Sequence, residues 1–256
     1  MNLKKNKKIL LIGSEGVLGS FFAKNLSREN DMLFVADIKI KKDKIKKNKI
    51  DFKLNLESEN EIKNLFLNIK KKYGEIDVLV NNAALTTEGV KKLFGSEIKK
   101  EEFNTAIWDK TININMRGVF LSCKYFFKYH HNKNKLQKII NFGSIYGSYS
   151  PHHEIYEREN FFSSISYTAS KSGIIGLTKW LATKYIKENT SCNVISPAGV
   201  FNYQPKSFLK KYLNLIPSGK MAEQKDIFEI LSLIINSKSN YLNGQNIHVD
   251  GGFSSW

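Results

Sequence analysis

Only two of the 256 residues are cysteine, Cys123 and Cys192, and they stand far apart with no ligand-like spacing around them. That excludes a disulfide-stapled fold and a thiolate metal centre, and it predicts two reduced, buried thiols in a cytoplasmic protein. No apolar run comes near the ~20 residues that a membrane-spanning helix needs. The opening stretch MNLKKNKKILLIG has basic residues ahead of a short apolar run, the outline of a signal peptide. The run is too brief and leads straight into a glycine-rich turn, so a first strand is expected there. Acidic residues are scarce, 24 against 40 lysines and arginines, which leaves a formal net charge of +16. Such an excess raises the question of a polyanionic partner. The lysines are spread along the chain among many asparagines and isoleucines, which fits compositional drift better than a dedicated nucleic-acid face. Internal repeats and Pro/Ser-rich linkers are also absent, so one domain over 1–256 is expected.

What is present is ordinary for a globular protein: 41 % hydrophobic and 25 % charged residues, in a chain long enough to bury a large core. Short apolar runs alternate with amphipathic stretches. KKILLIG (7–13), DMLFVAD (31–37), KIDFKLNL (49–56), IDVLVNNAA (76–84), KIINFGS (138–144), CNVISPAG (192–199) and GQNIHVDG (244–251) read as strands. Helical periodicity covers 17–30, 59–74 (stopped by Gly74), 102–130, 167–188 and 222–236. Strands separated by helices imply crossovers and a parallel sheet covered on both faces. The fold class expected is therefore α/β, a Rossmann-type doubly wound parallel sheet of about seven strands. The lysine-dense segment KIKKDKIKKNK (39–49) is expected to be a solvated loop or a short helix.

Between the first strand and the first helix, GSEGVLG places glycines at 13, 16 and 19. Gly13 allows the tight turn, Gly16 lets backbone approach a pyrophosphate, and Gly19 lets the helix pack on the strand. The helix N-terminus then stabilises the negative charge. Asp37, at the end of the second strand, can accept hydrogen bonds from an adenosine ribose and would repel a 2′-phosphate. Glu15 adds to that repulsion, while the lysines beyond residue 38 act against it. The balance predicts NAD in preference to NADP.

In SYTASKSG (166–173), Tyr167 and Lys171 are one helical turn apart and share a face. A free phenol has a pKa of about 10, too high for a base near neutrality, and a neighbouring cation lowers it. Lys171 is expected to do this for Tyr167, with the small Thr168, Ala169 and Ser170 leaving room beside the pair.

These motifs, in this order, resemble the short-chain dehydrogenases/reductases along nearly the whole chain. GSEGVLG is similar to the family's cofactor loop, NNAA (81–84) to its NNAG stretch with Ala84 for glycine, and NINMRGVF (113–120) to the helix carrying an asparagine, here Asn115. INFGSIYG (140–147) resembles the serine-bearing strand with Ser144 in the functional place, and YTASK (167–171) is the YxxxK pair. ISPAGV (195–200) resembles the turn covering the nicotinamide, with Ala198 for glycine, and GQNIHVDGG the last strand. The GxxGxxG spacing, the long segment before Tyr167, ISPAGVFNYQP and the terminal GGFSSW resemble a narrower branch, the sugar-modifying members of flagellin glycosylation and nonulosonate synthesis.

The resemblance implies roles. Tyr167 would be the acid/base, Lys171 would also hold the nicotinamide ribose, Ser144 would bond the substrate oxygen, and Asn115 would anchor a water linking Lys171 to solvent. The cofactor would lie against Gly13, Ser14, Gly16, Val17, Leu18, Gly19, Asp37, Ile38, Asn55, Leu56, Asn82, Ala83, Ala84, Tyr167, Lys171, Pro197, Gly199 and Val200. Asn81 has either a structural role or one near the cofactor. Substrate contacts are expected from Ser144, Tyr146, His153, Tyr156 and Tyr167. The segment 148–165 is longer than usual for the family and carries His152, His153, Glu154, Tyr156, Glu157, Arg158 and Glu159, polar groups suited to a sugar-like substrate. Residues 200–220 form an expected lid whose aromatics and lysines would close over an anion. No metal is expected, because nothing completes a ligand set around the paired histidines.

The function expected is an NAD(P)-dependent alcohol/ketone oxidoreductase acting on a polar small molecule. NADPH-dependent 3-oxoacyl reduction and a non-catalytic cofactor-sensing or nucleic-acid-binding regulator are the alternatives. A homotetramer or homodimer, with no membrane and no nucleic-acid partner, completes the expectation.

Overall fold

Alternation inside the first strand sets the layering. In β1 (Lys8–Ile12), Ile9 and Leu11 face one apolar cluster while Leu10 and Ile12 face another. Successive strand residues point to opposite faces, and burial on both sides requires a sheet sandwiched between helices. The structure is a computed structural model and describes residues 7–27, 32–95, 103–157, 159 and 162–255. Arg158, Trp256 and the ends of two expected elements, at 28–31, lie outside the described residues.

Along the chain follow α1 (Val17–Leu26), β2 (Met32–Asp37), β3 (Lys44–Lys46), β4 (Lys49–Lys53), α2 (Glu59–Tyr73), β5 (Val78–Asn81), α3 (Thr87–Phe94) and α4 (Thr105–Ile112). A π-helical turn, Asn113–Arg117, leads into α5 (Gly118–Tyr129). Then come β6 (Gln137–Phe142), α6 (Ile165–Tyr185), β7 (Thr190–Pro197), α7 (Lys206–Leu213), α8 (Gln224–Asn236) and β8 (Asn246–Val249). The sheet runs β3-β4-β2-β1-β5-β6-β7-β8. It is parallel throughout except for β3, which pairs antiparallel with β4. Helices α2, α5 and α6 cover one face, with Phe66, Phe126 and Ile174 in its core. Helices α1 and α8 cover the other, with Phe22, Leu231 and Ile235 inward.

The doubly wound sheet is as expected, with eight strands where about seven were expected. The additional strand is β3, inside the lysine-rich segment expected as loop or helix. Its three residues Lys44, Ile45 and Lys46 are all exposed, so no apolar periodicity announces it. Lysines on an edge strand also block further pairing. The expected single helix over 102–130 is interrupted by the π turn at Asn113–Arg117. Helix α3 was not foreseen, although Thr86 as N-cap and Gly95 as C-cap, at φ +87°, bracket it. Helix α7 falls within the expected lid.

Chain direction reverses its progress across the sheet at β1, whose neighbours are β2 and β5. The carboxyl ends of β1 and β5 therefore open onto a crevice with connections leaving in opposite directions, the place where doubly wound sheets bind ligands.

At the other end of the sheet, His130 follows α5 and is fully buried. Its Nδ1 accepts the Ile76 N–H at 3.1 Å and its Nε2 lies 2.9 Å from the Phe66 carbonyl. Burial depresses its pKa to about 4 from 6.5, with Lys70 adding to the depression and the Phe66 carbonyl and Glu75 opposing it. The folded chain thus keeps the imidazole neutral where the unfolded chain would protonate it. Stability falls as pH drops from 6.5 towards 4, by roughly 2 kcal/mol at pH 5 from this group. Melting temperature measured at pH 7 and pH 5 should show the decline, and the His130→Phe variant, less stable overall, should show a shallower one. A wild-type melting temperature unchanged across that range would exclude this role.

Candidate active site

The glycine turn packs as its spacing predicts. Gly13, at φ +91°, donates to the Ala36 carbonyl at 2.7 Å, and its own carbonyl accepts from Asn82 Nδ2 at 2.8 Å. An added Cβ at Gly13 would meet Ala83 N at 2.4 Å, and one at Gly19 would meet Gly13 O at 1.9 Å, so neither position admits a side chain. Gly16 differs: the nearest atom to its hypothetical Cβ is 3.9 Å away, and the space before it is open. Ser14 is buried, and its Oγ has no hydrogen-bond partner. An open approach and an unsatisfied buried hydroxyl fit a phosphate group seated on this turn. Val17 opens α1, and Leu18 packs partly buried beneath it.

Asp37 is more occupied than its expected role as ribose reader implies. Its Oδ2 accepts from the Glu15 N–H and its Oδ1 from the Lys39 N–H, both at 2.9 Å. The carboxylate staples the glycine turn to the segment after β2, yet each oxygen keeps lone-pair capacity for a hydroxyl. Ile38 beside it is exposed. Asn55 accepts from the Glu57 N–H through Oδ1, and Leu56 is buried under Gly118. Ala83 donates to the Ile12 carbonyl at 3.0 Å, and Ala84 is half-buried above the crevice. On the opposite wall, Pro197 ends β7, Gly199 N–H donates to Tyr212 Oη at 2.6 Å, and Val200 bridges Ala222. Asn81 lies deeper and donates to Asn141 Oδ1 at 2.8 Å, a structural place inside the sheet.

Helix α6 carries the Tyr167–Lys171 pair. Ser164 caps it by accepting from the Tyr167 N–H at 3.2 Å, which starts the helix two residues before the expected boundary. Tyr167 therefore sits in the first turn, and its side chain lines the same cleft as Ser144, whose hydroxyl favours the ionised phenol. Lys171 is only 3 % exposed. Its Nζ donates to the Phe142 carbonyl at 2.7 Å and lies 5.6 Å from the Tyr167 ring centroid. The expected depression of the Tyr167 pKa by Lys171 is not what this arrangement gives. Burial pushes the phenol up, with only the Ser144 hydroxyl lowering it. Burial also pushes Lys171 down to about 8. Each group loses hydration, and the ammonium is turned towards a main-chain carbonyl.

Asn115 lies in the π turn and is likewise buried. Its side chain accepts the Leu85 N–H at 2.6 Å and donates to the Leu85 carbonyl at 3.1 Å and to Ser170 Oγ at 3.3 Å. Ser170 in turn donates to the Tyr167 carbonyl at 2.7 Å. The Asn115 side chain thus braces α6 against the segment after β5.

Ser144 and Tyr167 form the floor of a cleft of about 450 Å³. Tyr146 and Tyr156, both expected substrate contacts, line it with their phenols 2.9 Å apart. His153 does not: it is exposed on a 3₁₀ turn and absent from the cleft lining. His152, Glu154 and Glu157 are exposed too, while Glu159 is buried, so the polar segment mostly faces away from the cleft. Of it, Tyr156 lines the cleft, because Ile155 and Tyr156 pack on Phe208 of α7. The lid lysines also point elsewhere: Lys211 donates to the Glu157 carbonyl, and Lys206 and Lys210 are exposed. The polar lining comes instead from Thr86, Thr87, Glu88 and Lys91 around α3, with Ser163, Asn202 and Gln204. The cap signals of α3 are the one sequence feature from which part of this set was accessible.

The profile of the family described as Enoyl-(Acyl carrier protein) reductase matches residues 14–254. A 3-oxoacyl-(acyl-carrier-protein) reductase of Buchnera aphidicola is 30 % identical over 98 % of both chains. Post-translational flagellin modification protein A of Campylobacter coli is 26 % identical, over 97 % of this chain and 98 % of its own. A crystal structure of a short chain dehydrogenase from Leptospira borgpetersenii with bound NAD+ superposes with a TM-score of 0.85 at 27 % identity, covering 99 % of this chain and 97 % of that one. A family model matched over nearly the whole chain, together with these relatives, shows that the chain belongs to the short-chain dehydrogenase/reductase family of oxidoreductases.

Proposed function

We propose that this chain is an NAD-dependent oxidoreductase interconverting a secondary alcohol and a ketone on a polar, sugar-like substrate, with Tyr167 as the acid/base. The observation that carries this is that Ser144 and Tyr167 line one open cleft, with the buried Lys171 ammonium beside the phenol ring. The likeness to a Leptospira dehydrogenase solved with NAD+ supports the nicotinamide cofactor. Gly13, Ser14 and Gly16 would hold its phosphates, Asp37 its adenosine ribose, and Lys171, through N–H bonds not used by Phe142, its second ribose. When bound, the nicotinamide supplies or accepts the hydride.

The chain's own groups handle the proton. In the reducing direction the Tyr167 O–H donates to the developing alkoxide, while the Ser144 hydroxyl donates a hydrogen bond to the same oxygen. In the oxidising direction the phenolate takes the alcohol proton. Burial holds the phenol raised even with Lys171 in place, so its ionisation would need further positive charge beside it, which an oxidised nicotinamide would supply.

Polar groups at the cleft mouth, and likeness to a flagellin modification protein, support the sugar-like substrate. A second reading, NADPH-dependent 3-oxoacyl reduction, is favoured by the Buchnera relative and by the apolar Ile145, Phe208 and Met221 in the cleft wall. Turnover of acetoacetyl thioesters with NADPH, outpacing any polyol or sugar with NAD, would select it. The exposed Trp108, Met116 and Phe120 along α4, the π turn and α5 support a homo-oligomer, and two buried free thiols support a cytoplasmic setting.

Tyr167→Phe should reduce turnover by roughly 10²–10⁴-fold while NADH binding, read by fluorescence titration, stays near wild type. Normal turnover in that variant would refute the assignment. Asp37→Ala should raise the NADP-to-NAD ratio of kcat/KM by about tenfold or more. Because Asp37 also staples the glycine turn, the absolute kcat/KM with NAD should fall as well. An unchanged ratio would show that Asp37 reads nothing of the ribose.

A further inference from the structure

The substrate cleft carries an electrostatic imbalance. Among the described residues Lys91 is the one cation in its lining, and Glu88 the one anion. Glu88 is already neutralised, its carboxylate paired with Lys92 at 2.8 Å. The Lys92 bond, with a smaller contribution from Lys39, holds it below the usual carboxylate range. Among the described residues, nothing pairs with the ammonium of Lys91, which is half-buried on α3. A second unsatisfied group shares the lining: Ser163 Oγ is buried and has no hydrogen-bond partner among the described residues. A buried hydroxyl left unpaired is costly and marks a place where a ligand acceptor can complete the bonding.

Both groups sit on segments tied to one another, since Thr87 Oγ1, at the start of α3, donates to the Phe162 carbonyl at 2.6 Å. They are therefore held on the same side of the cleft whose floor is Ser144 and Tyr167. We propose that Lys91 and Ser163 form an anion subsite, so that the substrate is a hydroxylated acid, a sugar or polyol bearing a carboxylate or phosphate, and not a neutral one. This rests on the alcohol/ketone reading above and adds to it the charge of the substrate. It also replaces the sequence-based expectation that lid lysines meet the anion, because Lys206, Lys210 and Lys211 are absent from the lining. Within a cleft of about 450 Å³, a monosaccharide acid fits whole. A lysine serves here as a point charge, tolerant of carboxylate or phosphate geometry.

The same charge could serve the pyrophosphate of the dinucleotide, and the test separates the two. Matched pairs of neutral and acidic ligands (glucose with glucuronate, galactose with galacturonate, glucose with glucose 6-phosphate) are titrated calorimetrically into the full chain saturated with NADH. NADH binding itself is measured by fluorescence. At least one acid should bind tenfold or more tightly than its neutral partner. Lys91→Met should bring that pair to within about twofold, Lys91→Arg should restore most of the preference, and Ser163→Ala should weaken the acid alone. NADH affinity should be unaltered in all three variants. No acid preference in any pair, or a preference that survives Lys91→Met, overturns the proposal. Loss of NADH affinity in Lys91→Met with acid preference intact assigns Lys91 to the cofactor and overturns it equally. The underlying oxidoreductase reading fails separately, by absence of NADH binding or by turnover that does not depend on Tyr167.

Discussion

A lysine ammonium kept 3 % exposed needs a fixed acceptor, and here the acceptor is the main-chain carbonyl of Phe142, 2.7 Å away. Burying such a charge without a partner would cost several kcal/mol. Much of the site's geometry follows from meeting that requirement. Phe142 ends β6, so the bond docks α6 onto the carboxyl end of the central sheet. Ser144 stands two residues beyond Phe142, and Tyr167 one helical turn before Lys171. One hydrogen bond thereby places hydroxyl, phenol and ammonium along one wall. On the far side of α6, the Asn115–Ser170–Tyr167 carbonyl chain fixes the rotation of the helix. The π turn at Asn113–Arg117 contributes by turning Asn115 inward, where an uninterrupted α-helix would advance it differently.

A second polar chain runs through the sheet beneath the site. Asn81 donates to Asn141, Asn141 Nδ2 to Thr178 Oγ1 at 2.9 Å, and Thr178 to the Ile174 carbonyl at 2.7 Å. It joins β5, β6 and α6 within otherwise apolar surroundings, with the Cys123 thiol, pushed up to about 12 by burial, as a weak further acceptor from Asn81. Bonds of this kind specify register: a slip of one residue in β6 would bring Ile140 opposite Asn81 and leave two amides unpaired. The carboxyl ends of β5 and β6, and with them Asn82 and Ser144, are held level by this constraint.

The layered fold was legible because both faces of the sheet are apolar and the helices that cover them announce their period. Gly13, Gly19 and the Tyr167–Lys171 pair were legible for the same kind of reason, since each depends on local spacing alone. What escaped is non-local. The three residues of β3 are exposed and lysine-rich, so their pairing with β4 left no apolar trace. The polar segment 152–157 suggested substrate contacts by composition, but the burial of Ile155 in the cluster with Phe208 and Phe253 turns its histidines outward. Proton affinity at Tyr167 was misjudged because sequence supplies the neighbouring charge and not the competing loss of water. For both members of the pair, desolvation is the larger effect.

Helix α7 is held by aromatic contact more than by charge. From the Ser144 turn, Tyr146 Oη meets Tyr156 Oη at 2.9 Å, and the Tyr156 ring lies 5.6 Å from that of Phe208. Phe208 stacks on Tyr212 at 5.2 Å, and Tyr212 accepts the Gly199 N–H. Four segments distant in sequence (the turn after β6, the 153–156 turn, α7 and the turn after β7) are joined in one continuous run. Moving α7 outward would uncouple Gly199 from Tyr212 and expose Phe208 together, so the run resists displacement as a unit. Gly199 stands in the turn after β7 and Tyr146 in the turn after β6, so the Gly199–Tyr212 bond ties the run of rings to the ends of two neighbouring strands.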